Sequence, residues 1–158
     1  MNDQEDRVVY ASSVRFDEHR IRAAAMYCSD GRFGDQFDDF LHTSLKLPRY
    51  DRLAVPGGAA CLAGHFLTFW EEESLIEQLR FLVNVHGLER VVLIAHQGCA
   101  FYTERLRVPP LRLEAQQRED IQKATERIRS VASGLLVDAF FARKCEDGMI
   151  RFESMEQR

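Results

Sequence analysis

The chain has 158 residues, 46% of them hydrophobic and 29% charged, an ordinary mix for one soluble domain with a real core. A net charge of -4 does not favour nucleic acid, and no apolar run approaches the ~18 residues of a membrane span. The start, Met1 to Arg7, is polar and acidic and lacks the basic-then-apolar pattern of a signal peptide, so a cytoplasmic location is expected. Four cysteines (Cys28, Cys61, Cys99, Cys145) spread along the chain argue against a disulfide framework in a reducing compartment, and Cys61 and Cys145 read as small buried hydrophobes.

Residues 1–18 carry no clear period and are expected to form an arm, either flexible or docked on a partner, ahead of a single α/β domain over 19–158. Ile21 to Tyr27 reads as a buried strand, closed by the turn residues Ser29-Asp30-Gly31. Asp35 to Leu47 has near-helical spacing of Phe37, Phe40, Leu41, Leu45 and Leu47 before Pro48. Tyr50 to Val55 is a second short strand, ended by Pro56-Gly57-Gly58. Ser74-Leu75-Ile76-Glu77 fits a capping box opening a helix with the stripe Leu75, Ile76, Leu79, Leu82 and Val83, terminated at Gly87. Val91 to Ala95 is a continuous apolar run, the mark of a strand buried on both faces. Leu113 to Ser133 is a long polar helix with a narrow stripe of Ile121, Ala124, Ile128 and Val131. Leu135 to Ala142 is strand-like, and after Glu146-Asp147-Gly148 the stretch Met149 to Glu153 returns as a hairpin strand. The order β-α-β-α-β-α-β-β predicts a mostly parallel sheet with helices on both faces and an antiparallel edge.

Two of these strands end in chemistry. The first runs into Cys28-Ser29-Asp30-Gly31-Arg32 and the third into His96-Gln97-Gly98-Cys99. In an open parallel sheet, ligands collect at carboxyl ends of strands where the strand order reverses. A 2-1-3 order makes these two strands neighbours at that point. Two thiolates and an imidazole suit one zinc ion and leave its fourth position open, as catalytic zinc requires. If Asp30 hydrogen-bonds Arg32, it is held off the metal and can accept a proton from zinc-bound water; if that pair breaks, Asp30 itself can close the site as fourth ligand. Two thiolates donate much charge, so activity is expected to rise on the alkaline side.

Cys28-x-Asp30-x-Arg32 followed by His96-x-x-Cys99 resembles the β-class carbonic anhydrases, over about residues 19 to 155. The resemblance implies zinc on Cys28, His96 and Cys99. It implies that Asp30 and Arg32 orient a zinc-bound hydroxide that attacks carbon dioxide to give bicarbonate. It also implies a four-stranded parallel sheet in 2-1-3-4 order and a homodimer, or higher homo-oligomer, with active sites at the interface. The sequence departs from the family around the substrate. His19 stands where a glutamine is usual, Phe81 where a tyrosine is frequent, and Ala100 where a glycine commonly follows the second cysteine. The segment at the second strand's end is Ala54-Val55-Pro56-Gly57-Gly58-Ala59 rather than Arg-Asn-Ala-Gly. These departures keep two alternatives in view: a related zinc hydrolase of carbonyl sulfide or carbon disulfide, and a non-catalytic zinc-binding domain.

A cysteine phosphatase loop is excluded, because it needs an arginine six residues after its cysteine and Gly34 stands there. Gly57-Gly58 lacks the spaced glycines of a dinucleotide site and reads as a turn or a backbone wall near the metal. The aromatics Phe66, Phe69 and Trp70 suggest core or, better, a dimer face. Phe101 and Tyr102 line the pocket or pack beside it, and His42 and His65 are surface or core histidines able to shuttle protons.

Overall fold

The structure is a computed structural model and describes residues 7–155. The first six residues of the expected arm and the last three of the expected domain lie outside the described residues. The described part of the arm is exposed, with Val9 99% and Phe16 93% accessible.

A single five-stranded sheet runs in the order β2-β1-β3-β4-β5. Its strands are β1 (Ala23–Tyr27), β2 (Asp51–Ala54), β3 (Arg90–His96), β4 (Leu136–Lys144) and β5 (Ile150–Ser154). The first three pairings are parallel, and β5 closes the edge antiparallel to β4. Alternation along β1 divides the core. Ala24 and Met26 face one side with Val91, Leu93 and residues of the helices α2 (Phe69–His86) and α3 (Leu113–Val131). Ala23, Ala25 and Tyr27 face the other with Val92, Ile94 and Phe37 of α1 (Gly34–Asp39). A period of two on a sheet covered on both faces is why β1 and β3 read as unbroken apolar runs. Ala23 and Ala25 leave room on this second face for aromatics: the Phe37 ring lies 5.0 Å from the Tyr27 ring.

Two expectations about the helices need correcting. The second helix does not open at Ser74. It begins at Phe69, with Thr68 at the cap position, and Ser74 lies inside it, its hydroxyl accepting from the Gln78 amide at 3.3 Å. Glu71 and Glu72 in the true first turn complement the positive end of the helix dipole. The apparent capping box is an interior i,i+3 pair. Its end is as expected: Gly87 takes φ 68° and Leu88 N–H reaches back to the Leu82 carbonyl. The first helix also changes character: α1 widens into a π-helical turn over Phe40–Ser44, where Phe40 stacks on Phe152 at 4.1 Å.

Cys61 is buried against the Pro56 carbonyl as expected, but Cys145 is only half-buried, at the hairpin turn. Phe66, Phe69 and Trp70 are exposed and therefore not core. His65 is a packing histidine: its Nε2 meets the fully buried Asp120 carboxylate at 2.7 Å, which also accepts from Gln116 at 2.9 Å. Removing His65 leaves part of that buried carboxylate unsatisfied. His65→Ala is expected to cost about 1–3 kcal/mol in urea unfolding; a loss under about 0.3 kcal/mol would show the pair to be idle. No helix among the described residues is long and apolar enough to cross a membrane.

Candidate metal centre

The register brings the two motifs together. Tyr27 pairs with Ile94, so Cys28, one residue past β1, emerges beside the end of β3 where His96 sits. The strand order reverses at this place, since β2 lies on one side of β1 and β3 on the other. Cys28, His96 and Cys99 form the one group of three or more possible ligands gathered for a metal ion among the described residues. Their ligand atoms all lie within 4.8 Å of one another. The two sulfurs are 3.9 Å apart. His96 and Cys99 are buried, and Cys28 is half-buried.

The imidazole is presented with one nitrogen bare. Nδ1 donates to the Gln97 carbonyl at 3.0 Å, which fixes the tautomer and leaves the Nε2 lone pair free. That Nε2 is buried without a hydrogen-bond partner. Phe33 packs on the ring at 4.3 Å between centroids. Gln97 is itself anchored on β4, its N–H to the Ala142 carbonyl and its side-chain oxygen to the Lys144 N–H.

The thiols are electrostatically unequal. The Cys99 thiol, hydrogen-bonded to Cys28, holds the Cys28 sulfur well below the ordinary thiol range, helped by the N–H groups of Gly57 and Asp30. The same bond, with burial, pushes Cys99 up. Cys99 Sγ donates to Cys28 Sγ, and a cation held by both sulfurs would displace that proton. Asp30 stands outside the cluster. It accepts from Arg32 through a fork, Nε to Oδ1 at 3.0 Å and the terminal nitrogen to Oδ2 at 2.6 Å, and also from the Arg32 N–H at 3.1 Å. The Arg32 guanidinium beside it holds the carboxyl down at about 2.

The glycine pair forms a wall at the site. Gly57 N–H points at Cys28 Sγ at 3.5 Å with φ 81°, and a Cβ there would sit 2.3 Å from the Phe101 ring. Gly57→Ala is expected to lower stability by about 2 kcal/mol, through the left-handed backbone and the overlap. An unchanged melting temperature would contradict that close packing. Tyr102 is buried beside Cys99, while Phe81 and His19 lie out on the surface. A groove of about 580 Å³ passes Arg32, Gln97 and Gly98, flanking the cluster.

Sequence reading missed Phe33 on the histidine ring and Gln117, which lines the cavity behind the cluster. Gln117 was visible as a misfit. It occupies a stripe position between Leu113 and Ile121 on α3, where an apolar residue is expected.

The family described as "Putative carbonic anhydrase" matches residues 18–150. No curated protein sequence matches the chain. Among solved structures, β-carbonic anhydrase isoform I of the protozoan Trichomonas vaginalis superposes with a TM-score of 0.55 at 10% identity, over 89% of this chain and 87% of that one. The β-carbonic anhydrase of the fungal pathogen Aspergillus fumigatus gives 0.47 at 16% identity, over 87% and 77%. The first of these likenesses supports the shared fold, and the family match spans most of the domain: the chain belongs to the carbonic anhydrase family so described.

Proposed function

We propose that the protein is a zinc-dependent carbonic anhydrase that interconverts carbon dioxide and bicarbonate. The observation that carries this reading is the bare, buried His96 Nε2 facing two sulfurs 3.9 Å apart. That separation fits the edge of a tetrahedron with metal–sulfur bonds of about 2.3 Å. The cavity bounded by these residues is about 10 Å³, room for a single small particle. Cys28, His96 and Cys99 would hold one zinc ion per chain. When bound, zinc supplies Lewis acidity that makes water a nucleophile near neutral pH.

The protein's own groups do the rest. Asp30 is an ionised acceptor with lone pairs to spare, and it is kept off the cluster by the Arg32 fork. It orients a hydroxyl by accepting its hydrogen. Arg32 keeps a terminal nitrogen for a product anion, at the edge of the groove. The exposed apolar arm residues and the exposed Phe66, Phe69 and Trp70 support a homodimer or higher homo-oligomer. A reducing setting such as the cytoplasm keeps the two thiols available to the metal.

A second reading rests on His19. It replaces the substrate glutamine of the β-class pattern and pairs with Asp17 out on the surface. That change favours a related zinc hydrolase of another small electrophile, or a zinc domain without turnover. Zinc analysis with stopped-flow hydration at pH 8.5 separates the readings. About one zinc per chain with hydration supports the anhydrase. Zinc with turnover of carbonyl sulfide or carbon disulfide alone supports the hydrolase, and zinc with no turnover the silent domain. A folded chain that takes up no zinc overturns all three.

A further inference from the structure

Gln117 reaches the metal centre from behind. It is 1% exposed on α3, and its Nε2 donates to the His96 carbonyl at 2.8 Å. The amide cannot be turned round, because its oxygen would then face another oxygen. Gln117 Oε1 is left buried without a partner. Among the described residues only this atom and His96 Nε2 are buried side-chain nitrogens or oxygens without a partner, and both residues line one cavity with Cys28 and Cys99. A glutamine here gives up packing, rotamer freedom and the hydration of its oxygen. A leucine or methionine would lose none of the last, so the amide is kept for the bond it makes.

We propose that Gln117 is a positioning residue for the metal centre, fixing the His96 backbone so that the imidazole is presented in one orientation. This rests on the metal reading above. His96 is the last residue of β3, in register with Ala142 of β4, and three groups beyond the ladder hold it. Gln97 O takes Nδ1–H, Phe33 covers the ring, and Gln117 pins the carbonyl. Only the last ties the ligand to α3, a helix separate from both metal-bearing loops. Groups that orient a ligand in this way contribute about 10–100-fold to metal affinity.

The test compares wild type with Gln117→Leu and with Gln117→Met, which is unbranched and of similar length and so the milder change of shape. Zinc dissociation constants are read by chelator competition, the visible spectrum of the cobalt(II)-substituted protein is recorded, and melting is measured with and without metal. Expected are a zinc affinity weaker by about 10–100-fold, altered cobalt bands, and a larger loss of melting temperature in the loaded protein than in the metal-free one. A zinc constant within about twofold of wild type and an unchanged cobalt spectrum, in either folded variant, would make the glutamine a packing residue and overturn the inference alone. A wild-type chain that binds no zinc overturns the metal reading and this inference together.

Discussion

Cys99→Ala is expected to reduce bound zinc from about one ion per chain to below about 0.1, because two remaining ligands do not retain the ion against water. The consequence reaches the fold. A ligand present at 1,000 times its dissociation constant stabilises the native state by about 4 kcal/mol. For a domain of this size that corresponds to roughly 8–16 °C in melting temperature. Cys99 is 2% exposed, lies beside Tyr102 and Ala60, and begins the loop whose Tyr102 N–H bonds its carbonyl. Some of the loss will therefore persist without metal. Calorimetry with and without chelator separates the two parts. Wild type should lose most of the difference on chelation, while the variant should respond little. Full zinc and full melting temperature in Cys99→Ala would remove Cys99 from the ligand set. His96→Ala should behave alike, since its bare Nε2 has no other partner to lose.

Asp30→Ala is expected to do the opposite: zinc retained, hydration slowed by about a hundredfold or more. The carboxylate lies outside the Cys28–His96–Cys99 cluster and is engaged by Arg32, so its removal leaves the three proposed metal donors untouched. Arg32→Lys should fall between, because an ammonium cannot make the two-point fork that aims the carboxylate. The pH behaviour has a definite sign. Arg32 lowers the Asp30 carboxyl to about 2, below its usual 3.8. Stability from the pair is therefore present above about pH 4 and fades as pH falls towards 2. Asp30 stays ionised throughout the neutral and alkaline range, so it does not set the pH at which activity appears. A wild-type acid limb that vanishes in Asp30→Asn would contradict this, and so would full activity in Asp30→Ala.

Much of the architecture was legible because its signals are local. Val91 to Ala95 is apolar at every position, so a strand covered on both sides is the economical reading. Gly87 could stop a helix on backbone freedom alone. The strand order was what the family resemblance implied, and in it the neighbouring ends of β1 and β3 let both motifs face one point. The start of α2 was misread for a reason equally local. Ser74 to Glu77 offers capping chemistry, but the true first turn, from Phe69, is anchored by a contact no local window contains: Glu72 is held by Arg127 of α3.

The sequence by itself determined the candidate donors, the αβ alternation and the strand-end placement, because these depend on residue type, period and turn chemistry. Only the tertiary structure decided the state of those donors. The bare Nε2 depends on a carbonyl accepting at Nδ1 and on burial from solvent. The unequal thiols depend on a 3.9 Å approach between residues 71 apart. The fork on Asp30 depends on the turn after β1 bringing Arg32 back over it. Gln117 became meaningful once α3 was packed behind β3 and its amide met the His96 carbonyl. These are distances across the chain, and hydrogen bonding and burial fall off too steeply with distance to be read from spacing along it.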